Sequence, residues 1–214
     1  MLFRSEAALP RVALGAYAHA GQVCISVQHV LVHRSRLEEA RERLVAEAAK
    51  VPRGDPARSD VVCGPMIDPR QADRVSAWID EAVAAGARVA GGGREGSVLV
   101  PSVLDRVPEH VRLATDEAFG PVLALSPFDT IEEAVARVNR GRFGLQCGVF
   151  TRDIGTIWAA FQGLEVGGVI HDDYPTFRVD AMPYGGVKDS GTGREGPRWA
   201  IRDYTEERVL VLKV

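Results

Sequence analysis

The chain has 214 residues, a formal net charge of −3 and 46% apolar residues, enough for one well-filled core and unlike a disordered chain. No apolar run is long enough to span a bilayer, no apolar segment of a secretory signal opens the chain, and no basic stripe is present. A cytoplasmic protein with neither nucleic-acid nor membrane partners is expected, and three widely spaced cysteines suit reduced thiols better than a disulfide framework.

In chain order, residues 1–10 form a lead-in without pattern, the kind of start a truncated reading frame has. Leu9, Val12, Ala13 and Ala16 then recur at helical spacing in an alanine-rich stretch over 8–20, which Gly21 breaks. Residues 25–33 turn β-branched and alternating, a strand just past Cys24. Leu37, Ala40, Leu44, Val45 and Ala48 make one face of a helix that ends before Pro52. Asp68-Pro69 supplies a cap and a first-turn proline to a helix with Ala72, Val75, Ile79, Ala82 and Val83 inside, stopped by Gly86. The glycines at 91–93 mark a turn and not a phosphate loop, because no Gly-Lys-Ser/Thr ending follows. A strand over 98–103 is interrupted or edged by Pro101.

Residues 121–126 read as a buried strand. Thr130 and Glu133 then form a capping box for a helix with Ile131, Ala134, Val135 and Val138 inside. A strand over 145–150, a helix over 154–161 and a strand over 166–170 follow. This alternation predicts an α/β fold, a parallel-rich sheet covered by helices. Residues 185–196 make a glycine-rich surface loop and 209–214 a last strand, of the kind that pairs across a subunit boundary. No repeat or internal linker is visible, so one domain is expected. His29 and His33 share a strand roughly 13 Å apart, too far to hold one ion, and no metal site is expected.

Most cysteines are small buried hydrophobes. Cys63 and Cys147 fit that description, Cys147 within the core-strand run Leu145-Gln146-Cys147-Gly148-Val149-Phe150. Cys24 differs. It stands at a helix–strand junction behind Gly21-Gln22, where free backbone amides favour a thiolate and stabilise charge on an attacked carbonyl oxygen.

The segment Tyr17-Ala18-His19-Ala20-Gly21-Gln22-Val23-Cys24-Ile25 resembles the cysteine motif of the aldehyde dehydrogenase superfamily. Further segments follow in that family's order: Asp116-Glu117-Ala118-Phe119-Gly120-Pro121-Val122, Phe143-Gly144-Leu145 with Val149-Phe150-Thr151-Arg152-Asp153, and Gly168-Val169-Ile170-His171-Asp172. The stretch from Pro183-Tyr184-Gly185-Gly186 through Lys188, Ser190-Gly191 and Gly193-Arg194-Glu195-Gly196 resembles the terminal signature.

The resemblance implies oxidation of an aldehyde with NAD or NADP, to a carboxylic acid or to an acyl group passed to a thiol acceptor, through addition of the Cys24 thiolate, hydride loss and, for the acid, hydrolysis of a thioester. By the same likeness Glu117 holds the nicotinamide ribose hydroxyls and Phe119 packs near the nicotinamide ring. Val23, Ile25, Phe177 and Arg178 lie on the substrate side, where Arg178 suits an aldehyde with an anionic tail. Asp172 stands where the family generally has asparagine, His171 where an apolar residue is commoner, and His19 where asparagine is frequent. The family's nucleotide-binding domain, its Pro-Trp-Asn type motif and its Glu-Leu-Gly-Gly type general-base motif do not precede Tyr17.

The resemblance therefore implies a catalytic domain over 1–200 and a tail over 201–214 with an oligomerisation strand, in a homo-oligomer. The isolated chain is expected to be inactive and its surface apolar where the missing domain would sit. Two rival readings stand beside this one. The first is a non-catalytic binding or oligomerisation module that keeps the family core; the second is a generic α/β domain with a buried thiol.

Overall fold

The computed structural model describes residues 5–214; residues 1–4 of the lead-in lie outside the described residues. Helix α1 (Ser5–Tyr17) is already under way where a patternless lead-in was expected, and it runs through Pro10. Pro10 faces outward, while Ala8, Leu9, Val12, Ala13, Ala16 and Tyr17 are buried, an apolar stripe of helical period. Strand β1 (His29–His33) and helix α2 (Leu37–Lys50) follow. β1 is shorter than the expected strand because residues 23–26 close a turn, the Ser26 N–H donating to Val23 O at 2.9 Å. α2 carries Glu38 and Glu39 in its first turn and Lys50 in its last, each matched to the helix dipole.

Helix α3 (Pro69–Ala84) begins as expected, the Asp68 carboxylate accepting the Arg70 N–H at 2.8 Å. Its inner face holds Ala72, Val75, Trp78 and Ala82, whereas Val83, expected inside, is 41% exposed. Val83 lies about 100° beyond Ala82 around the helix, and the bulk of Trp78 fills the inner face instead. Next come β2 (Arg88–Gly91), a hairpin of β3 (Arg94–Glu95) and β4 (Val98–Leu99), and β5 (Ser102–Asp105). The single strand expected over 98–103 is thus two, parted at Pro101, which has no N–H to donate to a ladder.

A short helix α4 (Arg112–Thr115) leads to β6 (Val122–Phe128), the centre of a four-stranded sheet ordered β1–β6–β5–β2. β6 runs parallel to both neighbours, with His29 opposite Ala124 and Ser102 opposite Val122, and β2 closes one edge antiparallel. Alternation along the strands divides the core. Val103, Leu123 and Leu125 pack under α1 and α2; Leu104, Val122 and Ala124 pack on the face covered by α3. Each such buried leucine contributes about 2–3 kcal/mol of transfer free energy.

The second half of the chain holds α5 (Ile131–Arg140), β7 (Phe143–Gly144), β8 (Gln146–Val149), α6 (Ile154–Gly163), β9 (Gly168–His171), β10 (Val187–Lys188) and α7 (Pro197–Asp203). Thr130 caps α5 by accepting the Glu133 N–H, while Glu133 reaches back to the Asp129 N–H at 2.8 Å. β8, α6 and β9 form a parallel strand–helix–strand unit. The 185–196 segment, expected as a surface loop, supplies β10, which pairs antiparallel with β7. Of the α5 residues expected inside, Ala134 is buried; Ile131, Val135 and Val138 are half-buried because they face a cavity of about 920 Å³ bordered by β1 and β8.

Residues 204–214 have no regular structure, and Val209, Leu210, Val211 and Leu212 are exposed. The last strand therefore does not form within the chain, since a strand needs an edge to take its backbone bonds and none of the described edges receives it. Among the described residues no helix is long and apolar enough to cross a membrane, and no cluster of three metal-ligating side chains occurs.

Candidate active site

The polypeptide leaves α1 through three left-handed residues, His19, Ala20 and Gly21, with φ of 53°, 56° and 68°. Histidine and asparagine both tolerate that region, which accounts for His19 at a position where asparagine is frequent. Gly21 is required for a second reason. A Cβ there would lie 2.2 Å from the Gly120 carbonyl oxygen, so the cysteine segment and the Glu117–Pro121 segment press together backbone to backbone.

Gln22 then ties the turn down. Its Oε1 accepts the Ile67 N–H at 2.8 Å, and its Nε2 donates to His19 O at 3.3 Å and Pro65 O at 3.4 Å. Ser26 Oγ donates back to the end of α1, at Gly15 O and Ala16 O. Between these anchors Cys24 stands exposed on the apex. Among the described residues, the Cys24 and Ile25 N–H groups have no acceptor, so both are available to a developing oxyanion. Cys63 and Cys147 are held otherwise: burial pushes each thiol up to about 11, which keeps both protonated and unreactive.

The loop bearing Glu117 is fixed by Gln28. Its Nε2 donates to Leu113 O (3.2 Å) and Asp116 O (2.8 Å), and its Oε1 accepts the Ala118 N–H at 2.8 Å. Arg74 donates to Ala118 O at 2.6 Å. Glu117 itself bonds no side chain among the described residues; desolvation raises its pKa, with the positive charge of Arg74 opposing. Phe119 is 39% exposed and held at φ 47°, a backbone that phenylalanine adopts only when its surroundings impose it. Cys24, Ile25 and Glu117 border the same large cavity. An unpaired carboxylate and an exposed ring on one rigid loop fit a dinucleotide's ribose hydroxyls and ring face.

A second, smaller cavity of about 390 Å³ also borders Cys24 and is lined by Tyr184 and residues of the glycine-rich segment, among them Gly185, Gly186, Gly193 and Glu195. Tyr184 OH lies 3.3 Å from Cys24 Sγ, and burial first, then the bond to Cys24, raises the phenol above its ordinary range. The Arg178 guanidinium lies over the Tyr184 ring at 4.5 Å and donates to Glu195 at 2.7 Å. Arg178 thus stands one residue from the thiol, through Tyr184. Phe177 is exposed and Val23 half-buried, and both lie outside the two cavities. Asp172 takes φ 57° with its N–H on Val149 O at 2.9 Å, a left-handed position that aspartate and asparagine share. His171 Nε2–H donates to Thr151 O at 2.9 Å.

Sequence reasoning missed Gln22, Gln28, Arg74 and Tyr184. Tyr184 carried a signal, a hydroxyl on an aromatic position of a quoted motif. The two glutamines carried none, because, the Gln22 contact with His19 apart, their partners lie tens of residues away.

A thiol displayed on a turn, two amides without an acceptor beside it and a carboxylate on the same cavity are groups suited to covalent chemistry on a carbonyl. The model of the aldehyde dehydrogenase family matches residues 4–210. The chain belongs to the aldehyde dehydrogenase family.

It is 40% identical to the 3-sulfolactaldehyde dehydrogenase of Priestia aryabhattai, covering 98% of this chain and 44% of that protein. Its fold is similar to the crystal structure of aldehyde dehydrogenase 21 from Physcomitrella patens in complex with the reaction product succinate. The TM-score is 0.92 at 40% identity, over 96% of this chain and 43% of that one. It also resembles glyceraldehyde-3-phosphate dehydrogenase from Methanocaldococcus jannaschii complexed with NADP. There the TM-score is 0.89 at 32% identity, over 94% of this chain and 44% of that one. The chain therefore spans less than half the length of these relatives.

Proposed function

We propose that this chain is the cysteine-bearing part of an enzyme that oxidises an aldehyde to a carboxylic acid, with Cys24 as nucleophile. The supporting observation is the exposed Cys24 sulfur beside two unpaired N–H groups, on a cavity shared with Glu117. The Cys24 thiolate forms a C–S bond to the aldehyde carbon, and the carbonyl π electrons move to oxygen, where the Cys24 and Ile25 amides meet the charge. Hydride then leaves that carbon and the C=O bond re-forms as a thioester. Water adds to the thioester, and the Cys24 thiolate departs as the acid forms. NAD or NADP supplies the hydride acceptor when bound; Glu117 and Phe119 are the residues of this chain that would hold it.

On the substrate side stand Val23, Ile25, Phe177 and Arg178. The relatives' names carry a sulfonate, a phosphate and a dicarboxylate, and Arg178, exposed and linked to the thiol only through Tyr184, suits such a tail once it exchanges Glu195 for substrate. The chain covers 44% of a relative of this kind, and losing one oxyanion donor alone costs about 10²–10³ in rate. The isolated 214 residues are therefore expected to yield no NAD(P)H from a panel of short anionic aldehydes. Cys24-dependent turnover by this chain would reject the inactivity. A second reading, a binding or oligomerisation module that keeps the family core, is favoured by the exposed apolar tail. Site-resolved iodoacetamide labelling tests the thiol itself and separates both readings from a generic domain with a buried thiol, because a displayed nucleophile reacts well ahead of Cys63 and Cys147.

A further inference from the structure

We infer that Tyr184 is a hydrogen-bond donor to the Cys24 thiolate, held in that role by Arg178 and Glu195. The inference rests on the reading of Cys24 as nucleophile and adds a group that sets how much of it is ionised. The geometry is direct: the phenol oxygen is 3.3 Å from the sulfur, and Tyr184 as a residue is only 7% exposed.

The ring is fixed from both sides. The Tyr184 backbone forms an antiparallel bridge with Glu195, its N–H donating to Glu195 O at 3.2 Å and its O accepting the Glu195 N–H at 2.6 Å. Arg178 covers the ring face at 4.5 Å and is itself anchored on the Glu195 carboxylate at 2.7 Å. A cation on the ring face withdraws density from the phenol and strengthens it as a donor. Burial and the neighbouring thiol keep the phenol protonated above its ordinary range. A thiol is ordinarily more acidic than a phenol, so of two groups sharing one hydrogen bond Tyr184 is the one that donates. Of the other titratable groups, Arg194, Asp203 and Tyr204 border the smaller cavity with both members of the pair, and those bordering the larger one with Cys24 include His29, Asp116, Glu117, Arg142 and Asp189. A hydrogen bond to the charged form favours that form, so the phenol enlarges the reactive thiolate fraction near neutrality.

The test is the pH–rate profile of Cys24 alkylation by iodoacetamide in the 214-residue chain, read site by site by mass spectrometry. Tyr184→Phe removes the hydroxyl and keeps the ring. Its profile is expected to move up by about one pH unit, with about three- to tenfold slower labelling at pH 7. An unmoved profile in a variant whose circular dichroism matches the parent overturns the inference. If Tyr184→Phe fails to fold, the reciprocal measurement decides. In Cys24→Ala, ultraviolet titration of the phenols should show one phenol ionising at lower pH than in the parent, and no such movement overturns the inference. Labelling of Cys24 no faster than Cys147 in the parent chain ends the nucleophile reading and this one together; an unmoved Tyr184→Phe profile ends this one alone.

Discussion

Two glutamine amides hold the halves of the site, Gln22 beneath the cysteine turn and Gln28 behind the Glu117 loop. Each satisfies backbone groups that no helix or strand reaches, so the turn and loop are rigid without being regular. Reading the residues alone singles out Gly21, Cys24 and Glu117 by type and motif, whereas an amide's partners follow only from the folded path.

At the scale of elements, local chemistry predicted what local bonds control. The Asp68-Pro69 start of α3, the Thr130 cap of α5, the break before Pro52 and the α6 helix follow from residues within a turn of each other. Replacing Thr130 with alanine leaves the Glu133 N–H without its acceptor and is expected to destabilise the chain by about 1 kcal/mol. Chemical denaturation measures that directly, and a change of a few tenths or less would show that the Glu133–Asp129 bond suffices alone. The pairing of β7 with β10 and the helix α7 escaped the reading of the residues. β7 and β10 are only two residues each, too short for a period-2 pattern, and their register is set by partners more than forty residues apart. Val83 missed the core for a related reason: a helix face is about 100° of arc, and which edge residue enters is decided by the neighbour it meets.

For the whole molecule, the tail is the feature of consequence. Val209, Leu210, Val211 and Leu212 are between 73% and 90% exposed, and elsewhere α6 presents Ile154, Trp158 and Phe161 to solvent. Apolar surface of this kind drives association, and an unpaired β-prone segment finds an edge in another chain. The 214-residue chain is expected to sediment as an oligomer at tens of micromolar, and deletion of residues 209–214 to lower the association. A monomer before and after deletion would refute the role given to the tail.

Composition, period and motif order by themselves determined the class of fold, the helices with capped ends and the family. Each of these is encoded in residues close along the chain or in an ordered series of short motifs. Only the tertiary structure decided that Tyr184 meets Cys24, that Arg178 is spent on Glu195 and the Tyr184 ring, that Gly21 sits against Gly120, and that the tail finds no partner at home. Those contacts join segments up to 160 residues apart, and proximity of that range is a property of packing, which no local pattern carries.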